Sequence, residues 1–177
     1  SMENIGWNGT AFVDLHQHEI QHLFKLYPCE WIWEENFSQF LKPETEWIEP
    51  CWKMLLSNKA LLIELWKRFP NHPLLLETHA YDAQAHYAGK WVRKPILARE
   101  GANIHILQNN VDCGAASGSL YFDDYDKYGY VMQRWVKTPL HEGMLPTLGL
   151  WMVGDECAGM SLREDVFDVI GNDAHFA

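Results

Sequence analysis

The 177-residue sequence lacks the features that would place a protein in or across a membrane. It has no run approaching 18 consecutive apolar residues, which a transmembrane helix would need. Its first residues, SMENIGWNGT, do not show the basic segment followed by an apolar segment that marks a signal peptide. The cysteines form no C-x-x-C pair. These absences predict a cytoplasmic protein with reduced, mostly buried thiols at Cys29, Cys51, Cys113 and Cys157.

Positive charge is also scarce, with 14 Lys and Arg against 24 Asp and Glu and a formal net charge of −10. General nucleic-acid binding and binding to an anionic membrane are therefore disfavoured, because both need a positive surface. Residues 88–99, AGKWVRKPILAR, are the exception, with four basic residues and no acidic one. This strip predicts that something small and anionic docks there.

The apolar pattern predicts an α+β chain. Residues 1–89 are expected to be mainly helical and 90–177 β-rich, with both parts in one compact unit. Near-helical spacing predicts helices over 11–28, 30–41 and 57–70, the last with Ser57 or Asn58 as its N-cap. Residues 70–90 are expected to connect the two parts. Alternating patterns predict a mostly antiparallel sheet with strands in 90–97, 103–108, 128–136, 148–154, 157–163 and 165–170. A hairpin turn is expected at Gly154-Asp155.

The stretch HEIQH, residues 18–22, matches the His-Glu-x-x-His pattern of zinc hydrolases. On the predicted helix His18 and His22 would share one face, with Glu19 as a general base. No further G-x-x-H follows, so Glu44 or Glu46 would have to supply a third ligand. The alternative is that these polar side chains lie on the solvent face of an amphipathic helix.

A lysine in an unexpected position carries more chemical information. In the predicted strand of WVRKPIL, Lys94 shares a face with Val92 and Ile96, where an ammonium group is costly unless it meets an anion. The chain then reaches Arg99 and Gly101, a short turn in which glycine lets the backbone approach a ligand closely. A strand, a basic residue and a glycine turn are the parts of a flap that covers phosphate groups. The alternative is a hairpin with a salt-bridged lysine.

Four segments together resemble the carboxy-terminal half of the glutathionylspermidine synthase family and are similar to the trypanothione synthetases. They are LFKLYPCEWIWEE, WIEPCWKMLLSNKALLIELWKRFPNHPLLLET, VRKPILAREGANI and GMSLRED. The resemblance runs in order over nearly the whole chain. It implies an ATP-grasp fold, of which this chain would be a part, with two sheets that hold ATP between them. It also implies a carboxylate–amine ligase that forms an acyl phosphate and then an amide.

The same resemblance implies roles for individual residues that contact the nucleotide. Lys59 matches a lysine at the nucleotide phosphates, and Lys94 matches the strand lysine that holds ATP phosphate. Gly101 matches the loop that closes over the phosphates. Gln133 and Trp135 fall where the family's strand leads into the adenine-binding hinge.

Two arginines are expected to be catalytic. Arg99 matches the arginine of the flap, and Arg163 matches one that steadies the transferring phosphoryl group. Phosphoryl transfer to a carboxylate needs several positive groups around the γ-phosphate, and arginine offers a fixed fork of donors.

The resemblance leaves part of a ligase unassigned. The family's Mg²⁺ ligands and most of its residues for the peptide-like substrate lie in an amino-terminal half, so no metal ligand is assigned in this chain. The expected cofactors are ATP and Mg²⁺, and the expected substrates are a peptide-like carboxylate and an amine. The chain is expected to be inactive or poorly active alone. A non-catalytic domain that binds a partner through a Trp-rich surface, with homo-oligomerisation, is the rival function.

Overall fold

The computed structural model describes residues 4–41 and 45–177, without the side chains of Phe37 and Asp123. Close contacts group the chain into two units, Ser1–Ser57 and Asn58–Ala177. Each unit is described by itself.

The first unit is built from short strands and short helices around a small apolar core. Strands β1 and β2 pair antiparallel, whereas β3 and β4 pair in parallel. Phe12, Val13, Leu23 and Ile32 are buried, and the Trp7 ring lies edge-on to Phe12 at 5.2 Å between centroids. The elements are β1 (Gly6–Trp7), β2 (Phe12–Val13), β3 (His22–Phe24), α1 (Cys29–Glu34), β4 (Glu46–Ile48) and α2 (Met54–Ser57), with 3-10 turns at Asn36–Phe40 and Cys51–Lys53.

The predicted helix over residues 11–28 is wrong, so the chain does not begin with a long helical segment. This stretch contains β2, a turn and β3. The Asp14 carboxylate accepts hydrogen bonds from the backbone N–H groups of His16 and His18, at 2.8 and 2.9 Å. Such local bonds give the backbone an alternative to the helical ladder. The apolar residues also fail to share a buried face, since Leu15 is 69% exposed and Leu26 is 87% exposed.

The HEIQH stretch therefore lacks the helical geometry that a zinc site of this type needs. His18 lies 3.3 Å from the Asp14 carboxylate, and His22 lies 3.4 Å from that of Glu46. Within residues 4–41 and 45–177, no three His, Cys, Asp or Glu side chains form a group that could hold a metal ion. Glu44, the other expected ligand, lies outside the described residues.

The second unit contains one helix of two turns and a five-stranded sheet. Its strand order is β5-β9-β6-β7-β8, with every pair antiparallel, and β10, β11 and β12 form a separate antiparallel sheet. In the part of the chain that the structure describes, no helix is long and apolar enough to cross a bilayer. The elements are α3 (Leu61–Arg68), β5 (Thr78–Ala80), β6 (Lys90–Pro95), β7 (His105–Gln108), β8 (Val111–Ala115), a 3-10 turn (Asp123–Tyr128), β9 (Tyr130–Arg134), β10 (Leu145–Val153), β11 (Glu156–Asp165) and β12 (His175–Phe176).

Five of the six predicted strands contain a strand, and the predicted hairpin joins β10 to β11 through Gly154-Asp155. The sixth, over 165–170, is wrong. There the Asp165 carboxylate accepts hydrogen bonds from the backbone N–H groups of Val166 and Phe167, which bends the chain. The connection expected over 70–90 contains β5, and β8 was not predicted.

Helix α3 forms within the predicted range, but its N-cap position is Ala60 and not Ser57 or Asn58 as predicted. The Asn58 side chain accepts a hydrogen bond from the Ala60 N–H at 2.8 Å, which satisfies one backbone donor ahead of the helix. Ile63 is the buried residue of this helix, whereas Phe69, which follows its last turn, is 54% exposed.

The five-stranded sheet has two chemically different faces because successive side chains alternate along a strand. One face carries a buried cluster of Tyr87, Trp91, Leu107 and Met132. Trp91 and Leu107 are cross-strand partners, so they lie on this face together. Lys94, three positions after Trp91, projects from the opposite face, where the cleft described below is found.

Candidate functional site

A cleft of about 330 Å³ lies on the face of the sheet opposite the buried cluster. Most of its lining residues are apolar, but polar atoms form the larger part of the surface that the cleft exposes. This volume is in the range of pockets that hold small ligands. The lining residues from the sheet and its loops are Leu76, Val92, Lys94, Gly101, Ile104, Ile106, Ala116, Gln133, Arg134, Trp135, Val136, Thr138, Asp168, Val169 and Ile170.

Lys94 is the cationic centre of this cleft and is held by a neutral partner. Its ammonium group donates a hydrogen bond of 2.6 Å to the Gln133 side-chain oxygen. The two side chains meet because β6 and β9 are neighbours, with Val92 opposite Gln133 and Lys94 opposite Val131. Gln133 is itself buried, and its amide nitrogen donates to the Thr78 hydroxyl at 3.1 Å.

Burial lowers the pKa of the Lys94 ammonium below its usual value. The physical cause is desolvation, since an ammonium group loses favourable interaction with water when protein atoms surround it. Among the described residues, no carboxylate lies within ion-pair distance of Lys94 to offset this cost. A lysine held in this way favours an anionic ligand.

Gly101 lines the cleft and is required there by shape as well as by backbone conformation. Its φ is +71°, and an added Cβ would lie 2.3 Å from a methyl group of Val169. Gly118 meets the same segment, since a Cβ there would lie 2.3 Å from the Val169 carbonyl oxygen. The two glycines thus leave room for the segment 167–170, of which residues 168–170 line the cleft. The Val169 N–H donates to the Ser117 carbonyl.

Hydrogen bonds hold the turn that carries Arg99, one across the turn and others at the residue that follows it. The Ala102 N–H donates to the Arg99 carbonyl at 2.9 Å, which closes the turn around Glu100 and Gly101. Asn103 follows, buried, with its side chain bonded to the backbone of Phe122. Arg99 is half-buried and does not line the cleft as it stands.

Lys59 lies against the segment between β6 and this turn. Its ammonium group donates to the Ala98 carbonyl at 2.8 Å, and its backbone N–H donates to the Ile96 carbonyl. Trp135 follows β9 and lines the cleft, and the Lys90 ammonium lies 3.7 Å from the centre of its ring.

Arg163 lies on β11 rather than in the wall of the cleft. One of its guanidinium nitrogens donates to the Gly171 carbonyl, and its side chain lies over the Phe176 ring at 5.5 Å. A second guanidinium nitrogen, Nε, is buried without a hydrogen-bond acceptor among the described residues. Arg163 is thus held against the residues that follow the 167–170 segment.

The structure brings four of the seven predicted residues together in one cleft, namely Lys94, Gly101, Gln133 and Trp135. Lys59, Arg99 and Arg163 lie outside its walls. Sequence reasoning missed Thr78, since the segment around it was expected to be a connection. The only signal was a β-branched residue between two polar ones in ETHA, which is a weak strand pattern.

The structure is thus a mixed α/β chain with antiparallel sheets and a cleft built around a partly buried lysine. The family can be stated more closely. The family described as glutathionylspermidine synthase preATP-grasp matches residues 1–177, so the chain belongs to that family. This confirms the resemblance found in the sequence.

Three curated relatives of the chain are named as a ligase or as synthetases. A putative acid–amine ligase of Haemophilus influenzae is 46% identical over 99% of this chain and 46% of its own length. Trypanothione synthetase of Crithidia fasciculata is 30% identical over 74% of this chain and 20% of its own length. A bifunctional glutathionylspermidine synthetase/amidase of Escherichia coli is 29% identical over 71% and 20%. The chain therefore spans less than half the length of these relatives.

Proposed function

We propose that this chain supplies the nucleotide-binding part of an ATP-dependent acid–amine ligase, and that the cleft around Lys94 takes ATP. The observation that supports it is the partly buried ammonium group of Lys94, held by a neutral partner in a cleft with many apolar lining residues. The apolar lining residues suit a purine ring, whereas the ammonium group suits a phosphate oxygen. An ATP-grasp arrangement of the complete protein is part of this proposal.

The proposed reaction has two steps. A substrate carboxylate attacks the terminal phosphorus of ATP, ADP leaves, and an acyl phosphate is formed. An amine then attacks the acyl carbon, phosphate leaves, and loss of a proton from the nitrogen gives the amide. The names of the relatives support a peptide-like carboxylate and a polyamine as the substrate classes.

Within this proposal, Lys94 and Lys59 bind phosphate groups, and Gly101, Gln133 and Trp135 shape the nucleotide site. Arg99 and Arg163 act on the transferring phosphoryl group, where a guanidinium fork offsets developing negative charge. Arg163 would have to leave the Gly171 carbonyl to do so. Mg²⁺ would neutralise phosphate charge, and among the described residues no three His, Cys, Asp or Glu side chains cluster to hold it. Its ligands are proposed to lie in the part of a ligase that this chain does not match.

Binding of Mg-ATP, measured by isothermal titration calorimetry, tests the nucleotide site. We expect the wild-type chain to bind, and the Lys94→Ala, Arg99→Ala double variant to bind at least about tenfold more weakly, because one lost charged contact alone accounts for about 1.5–3 kcal/mol. Lys67→Ala is the matched control, since Lys67 is exposed and pairs only with Glu64 in the described contacts. Circular dichroism melts establish that each variant is folded. Wild-type binding that is unchanged in the double variant would refute the assignment.

A second candidate function is a binding domain that associates through an apolar surface. The observation that favours it is the hairpin of β10 and β11, here called the apolar ribbon (residues 145–165). Several of its large apolar side chains are more than half exposed: Leu148, Leu150, Trp151, Met152, Val153 and Met160. Residues 145–153 include no charged side chain, which is unusual for an exposed strand.

A further inference from the structure

Three side chains on neighbouring strands, Lys94, Gln133 and Thr78, form a chain of hydrogen bonds along one wall of the cleft. This chain of hydrogen bonds is here called the relay. The Lys94 ammonium on β6 donates to the Gln133 side-chain oxygen on β9 at 2.6 Å. The Gln133 side-chain nitrogen donates to the Thr78 hydroxyl on β5 at 3.1 Å, and Thr78 and Gln133 are cross-strand partners. The Thr78 hydroxyl in turn donates to the Leu76 carbonyl at 2.9 Å.

This chain of bonds has one favourable direction. A hydroxyl has a single proton, and Thr78 gives it to the Leu76 carbonyl, so its oxygen can only accept from Gln133. If the Gln133 amide were turned over, its NH₂ group would face the Lys94 ammonium, and both are donors. The turned amide oxygen would then need the Thr78 proton, which would leave the Leu76 carbonyl without a partner. Thr78 is fully buried, so water cannot readily repair the mismatch at the Leu76 carbonyl and the Thr78 hydroxyl.

We propose that Thr78 is a positioning residue for anion binding: it fixes the Gln133 amide so that a neutral oxygen holds the Lys94 ammonium in the cleft with its positive charge intact. This inference rests on the proposed nucleotide site. A glutamate at position 133 could also hold the ammonium group, but it would cancel the charge. Glutamine holds it without an ion pair, and the remaining N–H donors of Lys94 are left for a phosphate oxygen.

The electrostatic surroundings of Lys94 agree with this role. Burial lowers the pKa of its ammonium group, so the hydrogen bond to Gln133 is a favourable interaction that opposes that shift. The other charged side chains that line the cleft are Asp168 and Arg134. Neither forms an ion pair with Lys94 among the described contacts, and Arg134 donates to the Ala88 carbonyl. The neutral amide is thus the group that holds the ammonium.

The relay is tested without nucleotide by following the titration of the Lys94 ammonium by NMR in the 177-residue chain labelled at lysine. Lys94→Arg identifies the signal. In Thr78→Val the hydroxyl is lost and the Gln133 side-chain nitrogen no longer has the acceptor that fixes the amide, so we expect the pKa of Lys94 to fall below its wild-type value. Thr78→Ser keeps the hydroxyl and is expected to restore the wild-type titration. A loss of packing alone would not be repaired in this selective way.

Calorimetry with Mg-ATP gives the second measurement. We expect Thr78→Val to weaken binding about tenfold, as one misdirected hydrogen bond to a charged group would, and Thr78→Ser to bind like wild type. The Gln133→Glu variant distinguishes the effect of placing an acceptor beside Lys94 from the effect of that acceptor's charge. It keeps an acceptor beside Lys94 and should raise the pKa of Lys94, yet it should weaken ATP binding because the ammonium charge is cancelled.

The relay is overturned if folded Thr78→Val shows the same Lys94 titration as wild type. If Thr78→Val does not fold, hydrogen exchange in the wild-type chain decides. The side-chain NH₂ protons of Gln133 should exchange more slowly than those of the exposed Gln84, and equal rates would refute the bond to Thr78. The two proposals can be refuted independently. A wild-type chain that binds no ATP refutes the nucleotide site, but the titration of Lys94 still tests the relay.

Discussion

At the scale of single residues, Lys94 shows what a sequence pattern can reveal about a site. Alternation in WVRKPIL predicts an ammonium group on an apolar strand face, and the structure places Lys94 on the cleft face of the sheet with Val92. The partner of Lys94 could not be predicted in the same way. Gln133 lies 39 positions further along the chain, and only the pairing of β6 with β9 brings the two side chains together. Local patterns carry no information about such pairing.

The pH dependence of stability offers a test of Lys94 burial. Because the folded pKa of Lys94 lies below its usual value of 10.5, the folded state binds fewer protons than the unfolded state between these two values. The loss of folding stability caused by burying the charged Lys94 ammonium is at its full size below the folded pKa. It disappears as the pH rises through 10.5. Urea unfolding of wild type and Lys94→Met should therefore show a stability difference that moves in favour of wild type as the pH rises, by about 1.4 kcal/mol for each unit of pKa shift.

Lys67→Met is the matched control for this titration. Lys67 is exposed and carries an ordinary surface ion pair with Glu64, so its stability difference from wild type should show no comparable trend over the same pH range. A difference between wild type and Lys94→Met that is constant from neutral to alkaline pH contradicts the burial of the ammonium group.

At the scale of elements, strands with strict alternation were predictable and the amino-terminal elements were not. The strands predicted from alternation, β6, β7, β9, β10 and β11, are present in the structure. Each pairs over several residues with the strand beside it in its sheet. Residues 11–28 show helical spacing, yet the Asp14 turn and the pairing of β3 with β4 outweigh it. Helix propensity is a weak preference that tertiary contacts readily override.

The turn at Gly101 gives a prediction at this scale. Gly101→Ala should destabilise the fold by about 2–4 kcal/mol, because it combines a strained positive φ with a clash against Val169. Gly154→Ala is the control, since Gly154 also has a positive φ, of +61°, but nothing lies within 4 Å of its added Cβ. The control should lose only about 1–2 kcal/mol. Chemical denaturation measures both, and equal losses would show that Val169 does not require glycine.

At the scale of the whole molecule, the apolar ribbon distinguishes the second unit from an ordinary soluble domain. β10 is paired on one side only among the described strands, so its other edge presents free backbone groups. On one face of the ribbon Leu150 lies opposite Met160 and Leu148 lies opposite Leu162. Two-stranded ribbons are marginally stable in water without further packing. A surface of this kind favours association with another polypeptide chain or with a second copy of this one.

Association through the ribbon can be measured directly by light scattering. We expect the mass of the 177-residue chain to rise with concentration above that of a monomer, as copies cover one another's apolar faces. Leu150→Lys with Met160→Glu should return the chain to a monomer, while the opposite charges of this cross-strand pair preserve the hairpin. Leu74→Lys with Val111→Glu is the control, because it makes the same charge change at exposed apolar positions outside the ribbon. A wild-type chain that is monomeric at every concentration, or self-association that both variants leave intact, would show that the ribbon does not bind a second copy.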